Sequence, residues 1–445
     1  MHEGPATVLL GINPLWLSCG IFVATYALLV TERVHRTIVV MLGAGLMIVT
    51  GIITQEEAFA GVDFNTISLL TGMMILVGIT RRSGIFQFVA VWLVKKVRAE
   101  PRGILVLLAS ITAIFSALFD NVTTVLLIVP VTLLIVEKLD LTPYPFLYAE
   151  IFASNIGGTA TLIGDPPNIM IGSAVGFSFA DFVSELGPVV LVIHVMVLLL
   201  LYLLWGQRIT TSVEARESVM AFDAKGSITD PVLLRQSMGV MTLVITGFVL
   251  GEFIGLESGS IALGGAALLL LLYTYGRASK VQSTRVQEIL AELEWGTILF
   301  FISLFVLVQG VESSGMLELL GQQMMALTGG DVQVTTYATL WLASIASAVI
   351  DNIPFVATMI PLLESTAPQL GGPEAMPPVW WALSLGACLG GNGSLVGATA
   401  NVIVAGFAER AGYPIKFATF LLIGIPVMLL SAAIATAYLY LQHFI

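Results

Sequence analysis

Charge is scarce in this chain of 445 residues. Asp, Glu, Lys and Arg together make up 11% of it, against about 25% for an average soluble protein. Cysteine is nearly absent: Cys19 and Cys388 lie in separate apolar segments, so there is no disulfide framework and no metal-ligand spacing. No nucleophile–base pair, cofactor motif or aqueous domain is visible, so neither an enzyme nor a bound cofactor or metal is expected. A basic segment ahead of the first apolar run is also missing. His2, Glu3 and Gly4 stand there instead, so Leu15 to Val30 reads as a retained span rather than a cleaved leader. With a net charge of −11, no nucleic-acid partner is expected.

What is present is apolar sequence. Hydrophobic residues make up 57% of the chain and the mean hydropathy is +0.97. Apolar runs of about 17–25 residues recur along the whole length, as a lipid bilayer requires of spanning helices. Crossings are expected at 15–31, 36–53, 65–80, 145–174 and 187–205, then at 237–255, 259–275, 295–311, 379–410 and 415–443.

The chain also repeats itself. Asp120-Asn121-Val122 leads to Pro130, and Asp351-Asn352-Ile353 leads to Pro361, an offset of 231. The run Gly157-Gly158-Thr159 through Asp165-Pro166-Pro167-Asn168 answers Gly390-Gly391-Asn392 through Ala398-Thr399-Ala400-Asn401 at an offset of 233. Thr66-Ile67 and Thr297-Ile298, and Ser83-Gly84 and Ser314-Gly315, keep the offset of 231. Short amphipathic stretches follow at 84–97 and 315–327 and read as interfacial helices. Corresponding breaks in both halves of a duplicated membrane protein point to a secondary transporter.

Two further apolar stretches, 103–138 and 335–363, carry the Asp-Asn motif at their middle. Each reads as a helical hairpin with a polar tip inside the bilayer, which is tolerated only against protein or a water-filled cavity. Arm length alone leaves open a pair of full spans, with Asp120 at the far surface. Charge decides. With re-entrant hairpins and the amino terminus outside, all 18 Lys and Arg, from Arg33 to Lys416, fall on the cytoplasmic side. The outer loops then hold only acids: Glu3, Glu56, Glu57, Asp63, Asp181, Glu185, Glu252, Glu257, Glu312, Glu318, Asp331, Glu364 and Glu374.

The expected fold is therefore an all-α polytopic membrane protein of two inverted repeats, each with five transmembrane helices, a re-entrant hairpin and a broken helix. The first repeat covers 1–206, with a hairpin entering from the cytoplasm at 103–138. A cytoplasmic linker covers 207–236. The second repeat covers 237–445, with a hairpin entering from outside at 335–363. Both termini are expected outside, in a plasma (inner) membrane.

Ionisable residues within the hydrocarbon are functional candidates. On this map Asp120, Asp165 and Asp351 lie deep, each at a helix break, with Glu150 near the start of the first broken helix. Break points expose free amides and carbonyls of opposite partial charge, which suit oxyanions, hydroxyls and cations. Asp120 with Asn121, Thr123 and Thr124, and Asp351 with Asn352, are site candidates that also suit the N-cap of the arm that follows. Asn155, Gly158, Thr159, Asp165 and Asn168 in the first broken helix face Asn392, Ser394, Thr399 and Asn401 in the second. Interleaved glycines permit unwound backbone and close approach of a ligand. Ala398 stands where the first half has Asp165. This asymmetric carboxylate, able to take and release H⁺ or Na⁺, is the coupling candidate. His194, in a span, reads as a packing histidine. No Lys or Arg is expected near the site, which favours a cation or a neutral acid as cargo.

The motifs Asp120 to Thr124, Asn155 to Asn168, Asp351 to Pro354 and Leu389 to Asn401 resemble those of the ion transporter superfamily. That superfamily includes the ArsB arsenite permeases, NhaD-type sodium/proton antiporters, the melanosomal P protein and dicarboxylate transporters. The resemblance is nearest to the ArsB and P-protein branch and covers the chain from about residue 20. It implies a scaffold domain that dimerises, a mobile transport domain and an elevator-like alternating access. Dicarboxylate members carry Ser-Asn-Thr at the hairpin tips. Here the tips read Asp-Asn-Val-Thr and Asp-Asn-Ile-Pro, so a dicarboxylate cargo is not expected. The resemblance implies efflux of arsenite or antimonite against proton influx, with an arsenical ATPase subunit as a further partner it admits. A Na⁺/H⁺ antiporter is the alternative, and an anion transporter or channel a further one.

Overall fold

The computed structural model describes residues 11–31 and 33–445. The expectation of an outer amino terminus, Glu3 included, rests on residues outside that set. Among the described residues there is no strand.

The helices fall into two matching runs. The first is α1 (Pro14–Thr31), α2 (Arg36–Val49), α3 (Gln55–Ala60), α4 (Phe64–Arg81), α5 (Ile85–Lys96), α6 (Pro101–Leu118), α7 (Asn121–Lys138), α8 (Tyr144–Thr159), α9 (Pro166–Val175) and α10 (Phe179–Leu201). A short α11 (Val213–Met220) lies between the runs. The second is α12 (Pro231–Ile254), α13 (Ser258–Thr274), α14 (Ser279–Ala291), α15 (Trp295–Ser313), α16 (Met316–Thr328), α17 (Val332–Val349), α18 (Asn352–Thr366), α19 (Pro377–Gly390), α20 (Thr399–Arg410) and α21 (Phe417–His443). Helices α6 and α7 form the first hairpin and α17 and α18 the second. Pairs α8/α9 and α19/α20 are the broken crossings. Nine helices among the described residues are long and apolar enough to cross a membrane, and α2 and α13 are shorter apolar ones.

The sequence places the starts of α10 and α12 too late, at 187 and 237. Capping sets them earlier. Ser178 and Asp181 form a reciprocal capping box ahead of α10, and Asp230 accepts from the amides of Val232 and Leu233 ahead of α12. Helix α14 has mixed polarity and is not anticipated from hydropathy. Its Glu288, with Glu292 just beyond its end, holds Arg82 at 2.8 and 2.7 Å, fastening it to the end of α4. The expected interfacial stretches are α5 and α16. Gly84 and Gly315 start them with φ of 81° and 79°, a left-handed turn that glycine adopts without strain.

Packing separates a scaffold from a transport unit. In the scaffold, α2 lies along α15 and α4 along α13, a reciprocal exchange between repeats. In the transport unit, α6 packs on α8 and α17 on α19 within each repeat, while α7 meets α20 and α18 meets α9 across repeats. The α6–α8 approach needs glycine. A Cβ at Gly157 would lie 2.1 Å from the carbonyl oxygen of Ala113. Aromatic packing of Tyr148 and Phe152 on Phe420 ties α8 to α21. Large apolar side chains such as Trp16, Leu42, Leu191, Phe253 and Leu422 are exposed on the outside, as a lipid-facing surface requires.

Candidate functional site

Each hairpin turns through two non-helical residues, Phe119-Asp120 and Ile350-Asp351. The aspartate then caps the next arm. Asp120 accepts from the Thr123 amide at 2.7 Å and from its hydroxyl, and Asp351 accepts from the Ile353 amide at 3.1 Å.

The hairpins are pinned to the broken helices by matching bonds in both repeats. Ser116 Oγ donates to the Ser154 carbonyl and Ser347 Oγ to the Ala387 carbonyl, each at 2.6 Å. Thr161 Oγ1 donates to the Ala117 carbonyl and Ser394 Oγ to the Ala348 carbonyl, each at 2.5 Å. Asn168 bridges the first break, donating to the carbonyls of Thr159 at 3.1 Å and Thr161 at 2.9 Å. Asn401 does the same at the second, to Gly391 at 2.7 Å and Ser394 at 2.9 Å. These amides satisfy carbonyls that an interrupted helix leaves free. Gly158 lies against the Gly164 backbone, where a Cβ would sit 2.7 Å from the carbonyl oxygen.

The candidate residues therefore separate into two groups. Asn168, Asn401, Ser394 and Thr159, whose hydroxyl donates to the Asn155 carbonyl at 2.8 Å, hold the breaks together. Asn155 joins the repeats, its Nδ2 donating to Asn392 Oδ1 and Asn401 Oδ1, both at 3.0 Å. This amide cluster and Thr124 are buried behind the tips. The hydroxyl of Thr124, Asn155 Oδ1 and Asn392 Nδ2 have no partner among the described residues.

The second group faces space. Asp120, Asn121, Asp165, Asn352 and Thr399 line an inner cavity of about 30 Å³, room for about one water or a bare ion. Asp165 is only 1% exposed. Asn352 Nδ2 approaches its two carboxylate oxygens at 3.3 and 3.4 Å, and no basic side chain pairs with it among the described residues. Asp351 and Thr399 line an adjoining vestibule of about 400 Å³, together with His35, Arg36, Phe300 and Pro354. Thr123 lines a third small cavity beside Glu294.

The expectation that no basic residue lies near the site is overturned. Arg36, the first residue of α2, reaches the second hairpin tip. Its guanidinium lies 3.0 Å from Asp351 Oδ2 and 2.6 Å from Thr399 Oγ1. Thr399 also donates to Asp351 at 3.0 Å. Glu294, the residue ahead of α15, is a second component not expected from the sequence. It shares the inner cavity with Asp120, Asp165 and Arg36. Burial first, and then the charge of Asp120, push its carboxyl above the usual glutamate range, against the Thr297 hydroxyl and Arg36. Both residues fall where the sequence shows ordinary loop charges. The signal that marks Glu294 is its offset of 231 from Asp63. His194 stands apart, 3.4 Å from Ser110 Oγ. Cys388 is buried, its thiol 3.4 Å from Asn168 Oδ1, and no cluster of metal-ligating side chains occurs among the described residues.

Comparison with known proteins agrees with this architecture. The citrate transporter family profile matches residues 26–386. An uncharacterized transporter of Mycobacterium tuberculosis is 41% identical over 96% of this chain and 98% of its own. The human P protein is 34% identical over 96% of this chain and 60% of its own longer length. Among solved structures, the Alcanivorax borkumensis YdaH transporter, described as having an unusual topology, superposes with a TM-score of 0.58 at 17% identity, covering 97% of this chain and 98% of that one. Neisseria gonorrhoeae MtrF, described among antimetabolite efflux pumps, gives 0.56 at 12% identity, covering 99% and 96%. Two inverted repeats, paired hairpins and broken helices, and a profile match across most of the length agree: this multi-pass membrane protein is a transporter and belongs to the citrate transporter family.

Proposed function

We propose that the protein is a secondary active transporter that exports arsenite or antimonite in exchange for protons, by an elevator-like alternating-access motion with Asp165 as the coupling carboxylate. One observation carries this reading: an ion-sized cavity beside Asp120 and Asp165 adjoins a cargo-sized vestibule, and the two share Arg36 and Thr399. The inner cavity gathers Asp120, Asp165 and Glu294 around a single guanidinium that is already engaged by Asp351 and Thr399. Such a balance disfavours a free multivalent anion and favours a proton, a small cation or a neutral hydroxyl-bearing acid. Arsenous acid is of the last kind, and amides and hydroxyls suffice to bind it. The vestibule opens between α1, α2 and the second hairpin. By the distribution of basic residues this is the cytoplasmic side, so the state is inward-facing, with both termini outside. The same partition supports a first repeat of 1–206, a linker of 207–236 and a second repeat of 237–445. Dimerisation through the scaffold goes with this reading.

Everted membrane vesicles test it. Arsenite uptake driven by an imposed pH gradient is the expected result, and Asp165→Asn is expected to abolish it in a protein that still elutes as a folded species. Na⁺-driven collapse of the gradient with no arsenite movement would replace the reading with Na⁺/H⁺ antiport. A second reading, a carboxylate anion such as the family name suggests, has Arg36 in its favour, since a bound carboxylate can take the place of Asp351 on the guanidinium. Citrate competing with arsenite in the same vesicles would support it.

A further inference from the structure

The two mouths of the scaffold carry a matched pair of carboxylates. Asp63 precedes α4 and Glu294 precedes α15, at the repeat offset of 231. Each holds the threonine three residues on: Thr66 Oγ1 donates to Asp63 Oδ2, and Thr297 Oγ1 donates to Glu294 Oε2 at 3.0 Å. Each also lines a cavity against a hairpin arm, Glu294 against α7 and Asp63 against α18. The cavity at Asp63 is about 240 Å³ and lies at the opposite end of the scaffold from Arg36.

The arms are in different register at the two mouths. The α7 stretch, tip included, that shares cavities with Glu294 runs from Asp120 to Leu127. The α18 stretch that shares a cavity with Asp63 runs from Ala357 to Glu364. Shifted back by the repeat offset of 231, the second stretch corresponds to 126–133, six residues farther from the tip. At about 1.5 Å per helical residue this is a displacement of about 9 Å. Glu294 thus faces a hairpin tip while Asp63 faces the middle of an arm. Exchanging the conformations of the two repeats reverses this and brings Asp351 and Pro354 to Asp63.

We infer that Asp63 and Glu294 are alternating scaffold carboxylates, each exchanging protons with the transport unit's aspartates only when the site faces its own side. This rests on the transporter reading above. A proton leaves one carboxyl oxygen and is taken by another, and the gradient supplies the direction. The groups facing Glu294 are Arg36 from α2, Arg81 from α4, Glu292 two residues before it in the chain, and Asp120 and Asp165 from the transport unit. Those facing Asp63 are Glu312 from α15 and Glu364 from α18, all acidic. Glu294 therefore works beside guanidinium groups, and Asp63 has none lining its cavity among the described residues.

Arsenite flux in right-side-out and everted vesicles, with pH set separately on each face between about pH 6 and pH 8, reads the pair. Glu294→Gln is expected to flatten the response to cytoplasmic pH by at least about tenfold and to keep the external response. Asp63→Asn is expected to do the converse, and Glu294→Asp to restore the cytoplasmic response. Variants that change both faces alike, or neither, overturn the proposal. If the wild-type chain moves no arsenite, the reading of its function fails instead, and cysteine crosslinking still tests the pair. A pair at positions 294 and 123 is expected to crosslink in the wild-type background, and a pair at 63 and 354 on release of the inward state by Arg36→Gln. Absence of the second crosslink in both backgrounds overturns the alternation.

Discussion

Arg36→Gln is expected to move the transport unit away from the state seen here. Arg36 belongs to the scaffold, while Asp351 and Thr399 belong to the transport unit, so both contacts bridge the two bodies. The Arg36 and Asp351 side chains are 27% and 21% exposed. This is drier than a surface pair worth about 0–1 kcal/mol, and a hydrogen bond to a charged group in such a place contributes about 1.5–3 kcal/mol. A net figure of about 2 kcal/mol is reasonable. At 1.4 kcal/mol per factor of ten, it changes the ratio of the two access states by about thirtyfold. Removing the guanidinium also leaves Asp120, Asp165 and Glu294 around one cavity with no cation, which pushes in the same direction. The opposite mouth offers no replacement, because α13, the counterpart of α2, begins Ser258-Gly259-Ser260. Spin labels on exposed Thr284 of α14 and exposed Glu409 of α20 read the populations as two interlabel distances. Asp351→Asn should shift the populations in the same direction by a smaller amount, since Arg36 keeps Thr399, and the double variant no more than Arg36→Gln alone, since both remove one interaction. An unchanged distance distribution in Arg36→Gln, or additive effects of the two substitutions, would refute the assignment of this pair as the clasp.

Other consequences concern the same bodies. Tyr26 of α1 donates to the Pro354 carbonyl at 2.6 Å and lies 2.7 Å from Thr358 Oγ1, so Tyr26→Phe should shift the same distances by a smaller amount, about 1 kcal/mol. Asn168→Ala leaves the carbonyls of Thr159 and Thr161 and the Ser384 hydroxyl without their partner. A loss of about 2–4 kcal/mol is expected, measured as a lower midpoint of unfolding in detergent. Gly157→Ala drives a methyl into the Ala113 backbone and should prevent the α6–α8 contact, whereas Gly406→Ala, inside α20 with no neighbour within 4 Å, should keep thermal stability or raise it slightly.

The fold was legible because its determinants are written locally. Apolar length marks the crossings, Asp-Asn marks the hairpin tips, and paired glycine runs mark the breaks. The inverted symmetry came from where Lys and Arg fall, a property of loops that needs no contact map. The division of labour inside the site was not legible. Asn168 and Asn401 look like ligands in the sequence, since both are polar residues at helix breaks. Only the folded geometry shows their amides turned onto the carbonyls that the same breaks set free. Arg36 is hidden in the sequence for the opposite reason. At the end of an apolar run, next to Arg33, it reads as one more basic loop residue. What places it in the site is the position of a hairpin tip 315 residues away in the chain. That position is set by the packing of the transport unit and not by the local sequence. A residue that serves a transporter in only one of its access states carries no periodic or motif signature of its own. Asp63 and Glu294 escape this rule because duplication wrote the same residue role twice. The inexact repeat shows itself in the structure as a hairpin tip at Glu294 and the middle of an arm at Asp63.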